Sequence, residues 1–140
     1  MADCVFCKIV QNELPAAKVF ENEHVVAFMD ISQTTKGHTL IIPKKHAENI
    51  YELDEETASE LFKAVPKIAR AIKESLRPLG LNIVNNNEKE AGQAVFHYHL
   101  HLVPRYGKED GFYINWQNHS SDYSFNDLEK MSEQIKQAFS

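Results

Sequence analysis

Short apolar runs with strand character precede and follow one long stretch of helical spacing in this chain. Residues 17–21 and 24–30 are rich in β-branched and aromatic side chains and are separated by a polar break, which predicts a β-hairpin. A turn-rich connection over 31–37 leads to a third apolar run, 38–43, and the proline at its end, Pro43, stops the strand.

The long central stretch has the signals of an amphipathic helix. Asp54 is a favourable N-cap residue, and acidic residues follow it in the first turn, where they interact with the positive end of the helix dipole. Pro66 predicts a kink or a break inside the helix, and Pro78 and Gly80 mark its end. The apolar positions recur at helical spacing: Ala58, Leu61, Phe62, Val65, Ile68, Ala69, Ile72 and Leu76.

Two further strands and a second helix follow. Residues 81–85 and 95–104 are predicted strands separated by the polar loop 86–94, and an amphipathic helix begins near Asn126. Several strands precede the long helix and two follow it, which indicates an α+β fold with a mainly antiparallel sheet of about five strands. No repeat or low-complexity linker divides the chain, so residues 1–140 are predicted to form a single domain.

Composition and charge narrow the classes of function. Apolar residues make up 43% of the 140 residues, a globular composition that can bury a core without disulfides. The net charge of −5 is spread without long single-sign blocks, which argues against nucleic acid or a membrane surface as the main partner. No secretory signal is visible, and no apolar run approaches the ~20 residues that span a bilayer. We therefore expect a cytoplasmic protein whose cysteines stay reduced.

Three alternating histidines carry the strongest chemical signal. His97, His99 and His101 lie two residues apart in a predicted strand, so their imidazoles share one face and the apolar residues between them share the other. The row has three interpretations: histidines with satisfied hydrogen bonds on a half-exposed strand, a three-histidine catalytic zinc site with an open position for water, or nucleophilic catalysis on an electrophile such as phosphorus.

The residues around this row resemble the histidine-triad (HIT) motif, His-φ-His-φ-His-φ-φ with φ apolar. The resemblance covers residues 4–105, and the chain is most similar to bacterial members of the branch that includes the Hint nucleoside phosphoramidases and the Fhit dinucleoside polyphosphate hydrolases. It implies a HIT-like fold and a homodimer. The matching blocks are Asp30-Ile31-Ser32, Gly37-His38-Thr39-Leu40-Ile41-Ile42-Pro43-Lys44-Lys45-His46, Gly92-Gln93-Ala94-Val95 and His97-Tyr98-His99-Leu100-His101-Leu102-Val103.

The resemblance implies a two-step reaction on the α-phosphate of a purine nucleotide. His99 would attack the phosphorus and form a nucleotidyl-histidine intermediate, which water then hydrolyses, while His101 contacts a phosphate oxygen. A backbone carbonyl must hold the His99 ring, and we expect it to come from loop 86–94. Ala94 departs from the family pattern, because the better-known relatives carry Ser or Thr after Gln93, and this bears on the preferred leaving group.

The resemblance also assigns residues to the substrate. Asp30 would accept hydrogen bonds from the ribose hydroxyls, although from the residues alone it is a turn aspartate at a strand end. Asn86, Gly92 and Gln93 would face the phosphates, or would simply form a polar loop. Four apolar residues match the positions that enclose the base, and each also fits an ordinary core position: Phe6, Ile9, Phe28 and Ile31.

Cys4 and Cys7 form a CxxC pair near the N-terminus. From spacing alone the pair is half of a zinc site, a thiol redox pair or two free buried cysteines, and the redox interpretation requires a preceding strand, for which there is no room. Two thiolates do not complete a tetrahedral site. The resemblance supplies the other ligands, since some bacterial HIT proteins bind zinc with a set that matches Cys4, Cys7, His46 and His97. We therefore expect a structural zinc, which removes His97 from a catalytic three-histidine site.

The favoured function is hydrolysis of purine nucleotides substituted at the α-phosphate, of the phosphoramidate or dinucleoside polyphosphate type. Two rivals stay open at this point: a zinc metallohydrolase with all three histidines as catalytic ligands, and a nucleotide-binding module with little turnover. His38 is expected either to join the buried imidazole network or to be a hydrogen-bonded core histidine.

Overall fold

Five antiparallel strands and three α-helices form the fold in a computed structural model that describes residues 3–139. In chain order the elements are α1 Val5–Val10, β1 Lys18–Glu21, β2 Val25–Met29, β3 Thr39–Pro43, α2 Glu55–Leu76, β4 Gly80–Val84, β5 Leu100–Arg105 and α3 Phe125–Gln137. The strand order is β1-β2-β3-β5-β4, and every neighbouring pair is antiparallel. The predicted α+β class, with one long helix and a C-terminal helix, is confirmed.

Helix α2 follows the sequence prediction at its start. It begins after Asp54, whose carboxylate accepts a hydrogen bond from the N–H of Thr57 at 2.7 Å, and it ends where Arg77 adopts a left-handed conformation with φ 53°. The helix continues without a break through Pro66, because this position is exposed and water can reach the carbonyl that loses its donor.

The sheet separates two apolar clusters. The cluster on one face packs against α2 and includes the strand residues Val25, Ala27, Ile41, Leu100 and Leu102. The cluster on the other face joins α1 to the central strands and contains Phe6, Ile9, Val26, Phe28, Leu40 and Ile42. Because alternate residues of a strand point to opposite faces, His99 and His101 lie on the α1 side of the sheet.

The histidine segment is paired over a shorter range than the predicted strand 95–104, since β5 begins later. The ladder with β3 stops because Pro43 has no N–H, and the Pro43 carbonyl instead accepts a hydrogen bond from Nε2 of His97 at 2.8 Å. On the other side, the Asn85 side chain donates to the carbonyl of His99 at 3.0 Å. His97 and His99 therefore belong to an irregular segment that side chains hold in place.

Helix α1 is absent from the sequence prediction. Its N-cap is Cys4, whose sulfur accepts a hydrogen bond from the N–H of Cys7 at 3.3 Å, and its six residues are too few for a periodic signal. Helix α3 begins one residue before the predicted start, and its side chains are exposed. The helices described between residues 3 and 139 are all too short or too polar to cross a membrane.

Candidate active site and metal centre

Four side chains from distant parts of the chain converge beside α1. The ligand atoms of Cys4, Cys7, His46 and His97 all lie within 4.8 Å of one another. Nδ1 of His97 is 3.4 Å from Sγ of Cys4 and 3.1 Å from Nδ1 of His46. A tetrahedral Zn²⁺, with bonds of about 2.0 Å to nitrogen and about 2.3 Å to sulfur, requires ligand separations of about 3.3–3.8 Å. The spacing and the donor types therefore fit a closed zinc site.

Hydrogen bonding prepares His97 to face this cluster. The residue has no exposed surface, and its Nε2–H donates to the Pro43 carbonyl, which leaves the lone pair on Nδ1, the nitrogen nearest the cysteines. Burial lowers the pKa of His97 to about 4, so the ring stays neutral. Burial and the neighbouring Cys4 raise the pKa of the Cys7 thiol to about 11. A bound Zn²⁺ would remove that proton, because coordinated thiols are deprotonated.

His99 presents one free nitrogen to the site. Its ring is 6% exposed, and Phe6 packs edge-on against it with the ring centroids 5.1 Å apart. Nδ1 of His99 lies 2.7 Å from the carbonyl oxygen of His97. A carbonyl can only accept, so Nδ1 carries the proton and Nε2 keeps its lone pair in the neutral ring. The expectation that loop 86–94 supplies this carbonyl is wrong, because the irregular segment leaves the His97 carbonyl outside the ladder and available to the ring.

The electrostatics of His99 suit a nucleophile. Burial lowers its pKa, whereas the His97 carbonyl and the negative charge of Asp30 oppose that shift. The neutral imidazole is the form that attacks an electrophile. The same carbonyl and carboxylate would stabilise a positive charge that the ring gains when Nε2 bonds to an electrophile.

His101 and Asp30 are joined by His38. Nε2 of His38 lies 2.9 Å from Nδ1 of His101 and 3.6 Å from Oδ2 of Asp30, so His38 belongs to the imidazole network. Burial lowers the pKa of His101 to about 4 and also lowers the pKa of His38. Burial raises the pKa of Asp30, but hydrogen bonds from Ser32 and the nearby histidines outweigh it and lower the pKa overall. The carboxylate is therefore ionised at neutral pH.

Loop 86–94 follows β4, the neighbour of β5, and contains the three predicted phosphate-binding residues, Asn86, Gly92 and Gln93, which differ in how freely they can contact a ligand. Gln93 is buried; its amide oxygen accepts from the N–H of Glu88 at 2.7 Å, and its amide nitrogen donates to two backbone carbonyls at 2.7 and 3.1 Å. The Gln93 side chain therefore holds the loop together and has no donor left for a phosphate. Gly92 is exposed with φ +93°, a conformation that residues with a Cβ rarely adopt.

Asn86 is the asparagine of this loop whose amide stays available. Asn85 donates to the carbonyl of His99, and Asn87 donates to Asn85 at 2.7 Å and accepts from a backbone N–H at 2.8 Å. Within the described part of the chain the Asn86 amide makes no hydrogen bond, and it lies beside Gly92, whose added Cβ would be 3.8 Å away. The bonds of its two neighbours thus single out Asn86, a choice that the sequence left open.

The four apolar residues predicted to enclose the base divide into two groups. Phe6, Ile9 and Phe28 are buried, and the rings of Phe6 and Phe28 meet edge to face with centroids 5.5 Å apart. Ile31 is fully exposed. An apolar cavity of about 350 Å³ between α2 and strands β1–β3 is lined by none of these four residues. The cluster that contains Phe6, Ile9 and Phe28 forms an apolar floor that reaches His99 through Phe6, whereas the Ile31 side chain is accessible.

Two supporting residues are absent from the sequence prediction. Ser32 donates to Oδ1 of Asp30 through its N–H at 2.8 Å and through its hydroxyl at 2.6 Å, and Asn85 holds the carbonyl of His99. A serine two residues after a strand-end aspartate is a local sequence signal, and it could have predicted the hydrogen bond between Ser32 and Asp30. The hydrogen bond from Asn85 to His99 depends on the pairing of β4 with β5, which no local signal predicts.

The HIT domain profile matches residues 11–108. The chain belongs to the HIT domain family. Protein hit of Bacillus subtilis (strain 168) is 58% identical over 133 residues, which are 95% of this chain and 92% of that protein. A crystal structure of a HIT family member from Bacillus subtilis superposes with a TM-score of 0.96 at 56% identity and covers 99% of this chain and 98% of that chain.

Two further HIT proteins bear on the chemistry. Adenosine 5'-monophosphoramidase of Schizosaccharomyces pombe is 38% identical over 116 residues, 83% of this chain and 84% of that protein. The crystal structure of a zinc-bound histidine triad family protein from Mycobacterium smegmatis has a TM-score of 0.74 at 34% identity and covers 99% of both chains. The HIT family thus includes AMP phosphoramidases, and nucleotide hydrolysis is supported at the level of the family.

Proposed function

We propose that this HIT protein hydrolyses purine nucleotides substituted at the α-phosphate, of the phosphoramidate or dinucleoside polyphosphate type, and releases a nucleoside monophosphate. The observation that carries the proposal is the free Nε2 of His99, held in place by the hydrogen bond from Nδ1 to the His97 carbonyl. Membership of the HIT family and similarity to an adenosine 5'-monophosphoramidase support a nucleotide as the substrate.

The reaction has two displacements at phosphorus. In the first, Nε2 of His99 forms a bond to the α-phosphorus while the bond to the leaving group breaks, and the leaving group departs with the electron pair of that bond and takes up a proton from solvent. In the second, a water oxygen attacks the same phosphorus and releases a proton to solvent, the nitrogen–phosphorus bond breaks with its electron pair returning to Nε2, and His99 regains its neutral state. Positioning and neutralisation of charge are the main requirements of such transfers.

The groups around His99 bind the rest of the nucleotide. Asp30 keeps acceptor capacity for the ribose hydroxyls, because Ser32 occupies only Oδ1. The amide of Asn86 donates to a phosphate oxygen without adding charge, and His101 contacts another oxygen. Gly92 has no Cβ, so the phosphate can approach the loop closely beside Asn86. The base lies against Ile31 and the edge of the apolar floor made by Phe6, Ile9 and Phe28.

We assign zinc a structural role at Cys4, Cys7, His46 and His97. Four protein ligands would fill the coordination shell, so the ion would tie α1 to the segment before His99 and leave no position for water. A catalytic ion on all three triad histidines requires their nitrogens to converge. Among residues 3–139, however, His97 belongs to the cysteine cluster and His101 to a separate group with Asp30 and His38.

We also propose a homodimer. Strand β4 is an edge of the sheet, and apolar side chains on it and directly before it are exposed: Leu79 84% and Ile83 50%. An exposed apolar edge favours pairing with a second copy of the chain. We further propose a cytoplasmic location, where a reducing environment keeps Cys4 and Cys7 as free thiols available to zinc.

Replacement of Ile83 by lysine is expected to convert a dimer into monomers, because a charge enters the paired edge. Sedimentation velocity at micromolar concentration measures the change. Val19→Lys is the matched control, since Val19 is exposed to a similar extent on β1, the opposite edge of the sheet, and this variant should stay dimeric. A monomeric wild type, or equal disruption by both substitutions, would contradict the proposed interface.

The covalent intermediate gives the direct test of the function. Protein mixed with an adenosine phosphoramidate and quenched in acid-free denaturant during turnover should gain the mass of one AMP, and peptide mapping should place it on His99. Phosphorus–nitrogen bonds are acid-labile, so the quench is kept neutral. Turnover with no adduct on any histidine would refute the mechanism, and tight nucleotide binding with no turnover would favour the nucleotide-binding module.

A further inference from the structure

A chain of hydrogen bonds runs from the loop after β2 to the last histidine of the triad. The N–H of Thr34 lies 3.2 Å from Nδ1 of His38, and Nε2 of His38 lies 2.9 Å from Nδ1 of His101. His38 is only 3% exposed. A backbone N–H can only donate, so Nδ1 of His38 is the acceptor and, in the neutral ring, Nε2 carries the proton.

The position of the proton on His38 determines which nitrogen of the neutral His101 ring carries its proton. Nε2–H of His38 donates to Nδ1 of His101, so the neutral His101 ring carries its own proton on Nε2. Oδ2 of Asp30, 3.6 Å from the same His38 nitrogen, is an acceptor and agrees with a proton there. His99 and His101 thus adopt opposite tautomers: His99 has the lone pair on Nε2, and His101 has the N–H on Nε2.

We propose that His38 is a positioning residue that, together with the backbone of Thr34, sets the tautomer of His101 so that Nε2–H donates to a phosphate oxygen while His99 attacks. The inference rests on the proposed nucleotide hydrolysis. A donor whose orientation is fixed before the substrate binds stabilises the developing charge without reorganisation during the reaction. The step is hydrogen-bond donation alone, so no proton leaves His101 and the rings of His38 and His101 remain neutral.

Asp30, His38 and His101 also have the side chains that bind metal cations, and their ligand atoms lie within 4.8 Å of one another. A cation requires the lone pair of Nε2 of His38, whereas the N–H of Thr34 requires the lone pair of Nδ1. A neutral imidazole has one such lone pair. The hydrogen-bond chain and a bound cation are therefore mutually exclusive, and one experiment can distinguish them.

Two substitutions separate the two hydrogen bonds of His38. In His38→Asn the amide oxygen occupies the place of Nδ1 and accepts from Thr34, but the side chain is too short to reach His101. In His38→Gln the amide nitrogen occupies the place of Nε2 and donates to His101. We expect His38→Asn to lower kcat about 10- to 100-fold with little change in KM, and His38→Gln to recover most of that loss.

Histidine ¹⁵N NMR spectra of the zinc-loaded protein give a readout that does not depend on activity. We expect the wild-type His101 proton on Nε2, loss of that preference in His38→Asn, and its recovery in His38→Gln. His119→Asn is the control, since His119 is exposed and pairs with Asp122 at the surface.

Three results would overturn the inference: a proton on Nδ1 of wild-type His101, a His38→Asn variant as active as the His38→Gln variant, or added zinc beyond the first equivalent that shifts the His38 and His101 signals. Failure of the proposed hydrolysis looks different. Neither turnover of the nucleotide through a His99 adduct nor the adduct itself would then be observed, whereas the tautomers would still be read from the spectra.

Discussion

His99→Asn is expected to lower kcat by about 10,000-fold or more, because removal of a covalent nucleophile has effects of this size. The asparagine amide nitrogen can take the place of Nδ1 and donate to the His97 carbonyl, so the irregular segment before β5 keeps its main hydrogen bond. No atom of the new side chain reaches the position of Nε2. The loss therefore isolates the bond that His99 makes to phosphorus.

Steady-state turnover of an adenosine phosphoramidate measures this effect, and calorimetric titration with AMP shows whether the site still binds the nucleotide. Binding should change by less than about threefold, since Asp30, Asn86 and His101 stay in place. His119→Asn makes the same substitution on the surface and should keep full activity. A His99→Asn enzyme with more than about one hundredth of wild-type activity would exclude His99 as the nucleophile.

The sequence predicts the elements whose signals are local. Asp54 caps α2 as expected, because N-cap chemistry involves residues three apart. The start of β5 could not be predicted, since residues 95–99 have strand composition and the ladder stops at Pro43 on a different strand. Helix α1 escapes detection because it is short and depends on packing of Phe6 and Ile9 under the sheet.

The candidate site likewise contains residues that the sequence predicts and hydrogen bonds that it does not. Residue types and the family resemblance predict that Cys4 and His97, which are 93 positions apart, share one metal site. In the structure Sγ of Cys4 lies 3.4 Å from Nδ1 of His97. The bonds that give each histidine its state are tertiary. The hydrogen bond from His99 to the His97 carbonyl, and the one from the Thr34 N–H to His38, form only when irregular segments fold back on themselves. The sequence alone therefore does not predict the tautomers of these histidines. Gln93 is a different case: the family resemblance predicts that it faces the phosphates, but its side-chain amide is already hydrogen-bonded to backbone groups that hold the loop.

Cys4→Ser/Cys7→Ser is expected to abolish zinc binding and lower Tm by about 10–15 °C. Zinc at a free concentration about 1,000 times its Kd stabilises the folded state by about 4 kcal/mol, and for a chain of 140 residues that free energy corresponds to a shift of this size. The ion would join α1 to the residues before His99, so its loss frees the N-terminal cluster. Metal analysis of the purified protein and thermal unfolding measure both effects.

A structural ion and a catalytic ion predict different consequences for activity. Without zinc, the double variant should still form the AMP adduct on His99 at a temperature where it stays folded, because its nucleophile is held by a carbonyl and not by the metal. His101→Asn is the matched control, since it should keep one equivalent of zinc and the wild-type Tm while it loses activity. If a chelator instead stops turnover at once in a folded wild-type protein, and added zinc restores it, the zinc is catalytic. That result would contradict the assignment of His97 to a structural zinc site and of His99 and His101 to a separate catalytic site.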